Sequence, residues 1–181
     1  MNVIKMKKED KKVNLGSGNV TTITQDKESS ETHSMIKHKI FTGYIAKTKY
    51  YRNKGLFTIL ICRWKPKYDI FDPNYPKNHQ WWTALSPPES TLKAIKSKEI
   101  DWVEYTHQYL NYLNSKFTKE GLIASLSKCA DYYNKDLVLL CYEKDSNQCH
   151  RGLLAHWLNE ILDEDSKIRE YSEDEIQLRL F

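Results

Sequence analysis

The residues best equipped for chemistry lie in "LVLLCYEKDSNQCHRGLLAHWL", Leu137 to Leu158. An apolar run ends in Cys141, and a polar loop carries Glu143. Cys149, His150 and Arg151 then stand side by side where the pattern turns helical. A helix starting at Cys149 or His150 leaves its first N–H groups without internal partners and turns the positive end of its dipole toward the loop. Anions bind at such ends, and Arg151 adds a planar fork suited to phosphate or carboxylate. The same field favours thiolate over thiol, which makes Cys149 a candidate nucleophile. His150 and Glu143 are the candidate acid–base groups.

Other readings of the same residues stay open. Cys141 and Cys149 are candidates for a thiol-redox pair. A metal held by Cys141, Cys149 and His150 would need a C-x7-C-H spacing, which matches no common zinc pattern. No metal and no other cofactor is therefore expected. The run from Cys141 to Arg151 is also too long for a C-x5-R phosphatase loop. The bland alternative buries Cys149 as a cap, pairs Arg151 with a carboxylate and leaves His150 on the surface.

The elements that must position this corner are legible as patterns. "HKIFTGYIA", His38 to Ala46, is rich in β-branched and aromatic residues and predicts a strand. "LFTILICRW", Leu56 to Trp64, and "KDLVLLCYE" are continuous apolar runs, the mark of strands covered on both faces. Between the last two lies "KPKYDIFDPNYPKNHQWW", read as a long irregular loop, whose two tryptophans either stack on a base or close a core. Ser86 is placed to cap a helix, with Pro87 and Pro88 in its first turn and Glu89 at capping-box distance. Two further helices follow. One carries Trp102, Tyr105, Tyr109, Tyr112 and Leu113 at helical spacing, the other Leu122, Leu126, Cys129 and Tyr133. In the last helix Leu153, Leu154, Trp157, Leu158 and Ile161 face inward. Buried strands alternating with helices argue an α/β fold, a three-layer domain with a mostly parallel sheet. Ligands of such sheets bind at the carboxyl ends of the strands, which is where the Cys141-to-Arg151 loop belongs.

Length and composition bound the rest. The 181 residues suit one domain with tails and can bury a core without staples. Net charge is +4, unevenly spread: residues 1–80 carry 16 Lys and Arg against 7 Asp and Glu, residues 81–181 carry 12 against 17. A basic front half fits contact with phosphate or nucleic acid, and equally a solvated surface. No stretch approaches the roughly 20 apolar residues of a membrane helix. The N-terminus lacks a secretory core. The 4 cysteines have no framework spacing. These features predict a cytoplasmic protein with reduced thiols and no membrane contact. The expected organisation is a basic flexible arm over 1–34, the α/β domain over 35–163, and an acidic linker with a tail over 164–181.

The strand, "LLCYEK", "CHR" and helix together resemble the signature of the DUF488 family. "IFTGYIAKTKY", "LFTILICRWKP" and "ALSPPESTL" resemble its earlier segments in the right order, so the likeness spans about residues 38–163. It implies an α/β domain with a pocket at the Cys-His-Arg corner. The pocket candidates carried over are Thr42, Tyr44, Arg63, Cys141, Glu143, Cys149, His150 and Arg151. Cys62 stands where the family often has an acidic residue or Ser, which leaves an acid–base role there in doubt.

The chain's last five residues, "QLRLF", resemble the bacterial sliding-clamp-binding pentapeptide at four positions, with Arg179 in place of Ser or Asp. Leu178, Leu180 and Phe181 supply apolar anchors for a groove and Gln177 side-chain hydrogen bonds. The alternative is a last strand or helix edge packed on the domain. The expectation is a DNA-associated protein of a bacterium, phage or mobile element. Its corner takes a nucleotide or phosphate-bearing ligand, with Cys149, His150 and Glu143 in the chemistry, and its tail tethers it to the clamp. The competing expectation is a non-enzymatic binding module or inhibitor that occupies a partner surface.

Overall fold

The computed structural model describes residues 37–64, 66 and 79–172. The basic arm and the "QLRLF" tail lie outside them, as does most of the Pro-rich loop.

Five strands form one sheet in the order β3-β2-β4-β1-β5. They are β1 (Ile40–Tyr44), β2 (Phe57–Leu60), β3 (His79–Trp81), β4 (Leu137–Cys141) and β5 (Arg169–Glu170). Every pairing is parallel. The helices are α1 (Thr48–Asn53), α2 (Glu89–Ser97), α3 (Trp102–Lys116), α4 (Lys119–Tyr133) and α5 (His150–Asn159). β4 is the central strand. Leu137, Val138, Leu139 and Leu140 are completely buried, although their side chains point alternately to both faces. Cover on both faces is what makes this a three-layer α/β domain. Each such residue contributes about 1.5–3 kcal/mol of apolar burial. No helix among the described residues is long and apolar enough to cross a membrane.

The helical stripes fold as their spacing requires. Tyr105, Tyr109 and Leu113 of α3 are buried, as are Leu122 and Leu126 of α4. The Asp101 carboxylate accepts from the Glu104 N–H and the Thr118 hydroxyl from the Gly121 N–H, so each helix has a side-chain N-cap. Left-handed residues, Lys98 and Asn134, end α2 and α4.

Four expectations change. Ser86 does not cap α2: its hydroxyl donates to the Thr83 carbonyl at 2.6 Å, closing a 3-10 turn, and the N-cap position falls on Pro88. His79–Trp81, read as loop, pairs in register with Thr58–Leu60 as an edge strand. Ile161 lies beyond the end of α5 and is 43% exposed. The stretch after residue 163 is not simply a solvated linker. Ile168 and Tyr171 are buried, Arg169 and Glu170 pair with Phe41 and Thr42, and the Tyr171 ring packs edge-on against Phe41 and Tyr51 at 5.2 and 5.4 Å. Two apolar residues in a charged run sufficed to extend the domain to at least residue 171.

Candidate functional site

Because all strands run parallel, their carboxyl ends gather at one edge. Tyr44 of β1 is the register partner of Cys141 at the end of β4. On the other side the Ile61 N–H, just past β2, donates to the Leu140 carbonyl at 3.1 Å. Cys141 therefore stands at the middle of the edge, between the two branches of the sheet, where a parallel α/β fold places its ligands.

The chain leaves β4, makes a 3-10 turn at Ser146–Gln148 and returns as α5. The Asp145 carboxylate caps that turn by accepting from the Asn147 N–H at 2.9 Å. Gly152 lets the first turn of α5 come down on the loop: a Cβ there would sit 2.2 Å from the Ser146 carbonyl oxygen. The return brings Cys149 and His150 back over Cys141.

The result is a cluster of four groups. One carboxylate oxygen of Glu143 takes hydrogen bonds from both thiols, at 3.1 Å from Cys141 and 3.2 Å from Cys149. The Cys141 sulfur lies 3.5 Å from Nδ1 of His150 and 3.6 Å from its Nε2. The sulfurs, the carboxylate and the imidazole all approach within 4.8 Å of one another. Cys141, Cys149 and His150 are buried. Glu143 is exposed as a residue, but its carboxylate turns in onto the thiols. Nε2 of His150 is 2.9 Å from the Ile61 carbonyl. A carbonyl only accepts, so Nε2 carries a proton, and in the neutral ring the lone pair is on Nδ1. The Tyr109 ring meets the imidazole edge-on at 5.7 Å, and its hydroxyl donates to the Leu85 carbonyl at 2.6 Å.

The two thiols are driven apart electrostatically. The hydrogen bond from Cys141 brings the Cys149 thiol down to about 6, against the cost of burial. Cys141, first through burial and then as the donor to Cys149, is pushed well above the ordinary thiol range. Burial raises Glu143, but the two thiol hydrogen bonds outweigh it and hold the carboxyl below its usual value. The arrangement is a cysteine sulfur at the N-cap of a ten-residue helix, where the thiolate form is favoured, with a second thiol and a carboxylate against it and an imidazole alongside.

Arg151 turns to acceptors within the protein. It is completely buried. Nη1 donates to the Glu143 carbonyl, Nη2 to the Lys144 carbonyl at 2.9 Å and to Glu170 at 3.3 Å, and Nε to Glu170 at 3.3 Å. Four hydrogen bonds to protein acceptors occupy a group with five N–H donors. Its place is that of a brace: it fastens the loop backbone at Glu143 to β5. Thr42 belongs to the same brace, its hydroxyl donating to Glu170 at 2.9 Å. Tyr44 is half-buried beside Cys141, its N–H donating to the Tyr51 hydroxyl at 3.2 Å. Arg63 is half-buried past the end of β2, and its charge acts on Glu89 of α2. Of the candidates, Cys141, Glu143, Cys149 and His150 come together, Thr42 and Arg151 support them, and Tyr44 and Arg63 flank them. Gln177, Leu178, Leu180 and Phe181 lie outside the described residues.

A family model described as the "Active DUF488-N3 subclade" matches residues 46–162. The chain belongs to the DUF488 family. The matched span runs from just past β1 through α5 and holds the whole four-group cluster. No curated protein and no solved structure matches the chain.

Sequence reasoning missed three parts of the site. Glu170 sat in a charged run with nothing to mark it. Tyr51 lies over β1 so closely that a Cβ on Gly43 would come within 2.7 Å of its hydroxyl. The Ile61 carbonyl is backbone, and no residue type announces it.

Proposed function

We propose that this DUF488 protein works at DNA. In this reading the cluster of Cys149, His150 and Glu143 engages a nucleotide or nucleobase ligand, and the C-terminal "QLRLF" segment tethers the chain to a bacterial sliding clamp. The observation that carries it is the convergence of two thiols, a carboxylate and an imidazole at the carboxyl edge of the sheet's central strand. Perturbed ionisable groups at such an edge mark a working site. A cavity of about 380 Å³ lies beside the same loop, lined by Thr42, Ser146, Asn147, Gly152, His156 and Glu170 among others. That is within the size range of small-ligand sites, and its hydroxyl, amide and imidazole groups suit a polar ligand. The basic first 80 residues supply the charge that a phosphate backbone attracts.

A second reading has its own support. Cys141 and Cys149 are only 1% and 2% exposed, so the cluster offers little surface to a large substrate. A binding module or inhibitor of phage or mobile-element type, acting through its surface and tail, fits that burial.

Calorimetric titration of the full chain against a bacterial sliding clamp, with and without Gln177–Phe181, tests the tether. Micromolar binding that vanishes on truncation is expected. Absence of binding at high protein concentration removes the clamp from the proposal. Cys149→Ser, assayed on nucleotides and on DNA beside the native chain, then separates the two readings: an engaged pocket loses binding or turnover, a surface-acting module does not.

A further inference from the structure

We propose that Cys141, Cys149, His150 and Glu143 bind one zinc ion, as a tetrahedral site of two thiolates, one imidazole nitrogen and one carboxylate oxygen. This rests on the reading of the cluster as the functional centre, and it names that centre's cofactor.

Five features carry it. The donor set is one that zinc accepts, with two soft sulfurs, a nitrogen and an oxygen. The spacing is close to right: zinc–ligand bonds of about 2.0–2.3 Å at tetrahedral angles put ligand atoms about 3.6 Å apart. The Cys141 sulfur and Nδ1 are 3.5 Å apart. The sulfur–carboxylate distances of 3.1 and 3.2 Å need to open by only about 0.4–0.5 Å to meet that spacing. Both of those short contacts are thiol hydrogen bonds, and a cation that displaces the two protons takes their place.

The imidazole is set for metal. Its Nε2–H is fixed on the Ile61 carbonyl, so the lone pair on Nδ1 is left for an ion, and a backbone carbonyl holding the second nitrogen is the usual outer partner of a ligating histidine. The charges close as well. Two thiolates and a carboxylate around a divalent ion carry one net negative charge, and the Arg151 guanidinium lies against Cys149. The frame is rigid: Cys141 ends the central strand, Cys149 and His150 open α5, and Arg151 bonds the Glu143 carbonyl. Binding is balanced as displacement of the protons on the two thiols by the ion, with no change of oxidation state. Of the four ligands Glu143 lies on the exposed side, so its position is the one that a water or a ligand oxygen would take.

The test uses the purified full chain with zinc or cobalt(II) as the sole probe. One equivalent of zinc by elemental mass spectrometry is expected, together with thiolate-to-cobalt charge-transfer absorption and the d–d bands of a tetrahedral ion. Cys141→Ser and Cys149→Ser lower zinc affinity by more than about 100-fold, Glu143→Gln by about 10-fold, and Cys129→Ser, outside the cluster, leaves it unchanged. The proposal is overturned if the native chain, folded by circular dichroism, binds less than one equivalent and gives no charge-transfer band. It is overturned too if zinc is held equally after loss of either cluster cysteine. Should the serine variants unfold, Glu143→Gln and the cobalt spectrum of the native chain decide the matter. Clamp and nucleotide titrations on the same preparations separate the outcomes. Zinc bound without either partner sinks the DNA reading alone; partners bound without zinc sink the metal alone.

Discussion

Two strand ends on the same edge of the sheet each offer a cysteine and an arginine, and they differ completely. Past β2 stand Cys62 and Arg63; past β4 stand Cys141 and, across the loop, Cys149 to Arg151. Cys62 is as buried as Cys141, and burial pushes its thiol up to about 11. Glu143 and Cys149 add to that rise by their charge, and its backbone carbonyl accepts from the Trp81 Nε1–H at 2.7 Å. Arg63 is half-buried, where Arg151 is enclosed and bonded on all sides. A thiol at a strand end is therefore not enough. What marks the β4 end is the return of the chain. The loop after β4 doubles back within eight residues, so that one carboxylate meets two sulfurs.

The largest expected break in this comparison is at the arginines. Arg151→Ala strips the Glu143 and Lys144 carbonyls of their donor and leaves Glu170 with the Thr42 hydroxyl. A fully buried pair would cost about 3–5 kcal/mol. The Glu170 side chain is 40% exposed, which screens its share, so a loss of about 2–4 kcal/mol is expected in urea unfolding. Arg63→Ala should cost less than about 1 kcal/mol. Equal losses would show that Arg151 is not the brace and that the two ends are held alike.

Next in size is the tightness of the return. Gly152→Ala places a methyl group on the Ser146 carbonyl, and either the 3-10 turn or the first turn of α5 must move. A loss of about 1–3 kcal/mol is expected. The nitrogen–proton correlation spectrum should show shifts concentrated in residues 142–152 and little change around Cys62. Shifts spread evenly over both strand ends would mean that the loop is not an independent device.

Much of this was legible beforehand, for physical reasons. The three long strands announced themselves because burial on both faces demands unbroken apolar runs, and α3 and α4 because one buried face demands helical spacing. The site was legible as a corner, since Cys149, His150 and Arg151 are adjacent and mark a helix start. Its inner arrangement was not. Matching Cys141, Cys149 and His150 to zinc spacings left out Glu143, because a carboxylate two residues past a strand end has no fixed direction until the loop folds. Arg151 looked like an anion fork because its partner Glu170 lies 19 residues on, in a run whose charge hid Ile168 and Tyr171. β3 was missed because three residues beside a Pro-rich loop carry too little pattern to outvote it.

The smallest effect sharpens the comparison most. Tyr109 joins the β4 end to the turn after β3: its ring lies edge-on to His150 and its hydroxyl donates to the Leu85 carbonyl. Tyr109→Phe keeps the ring and removes the hydroxyl, leaving a buried carbonyl without that donor. The expected cost is about 1–2 kcal/mol, with metal stoichiometry unchanged, because the ring still backs the imidazole and the Nε2–H still has Ile61. Tyr109→Ala removes the ring as well. If the ring helps to fix the His150 orientation, that variant should weaken zinc binding beyond what Phe does, and the excess measures what orientation alone contributes. If Phe and Ala weaken it equally, the hydroxyl acts through Leu85 on the whole edge. The distinction drawn between the two strand ends would then belong to the sheet as a whole and not to the loop.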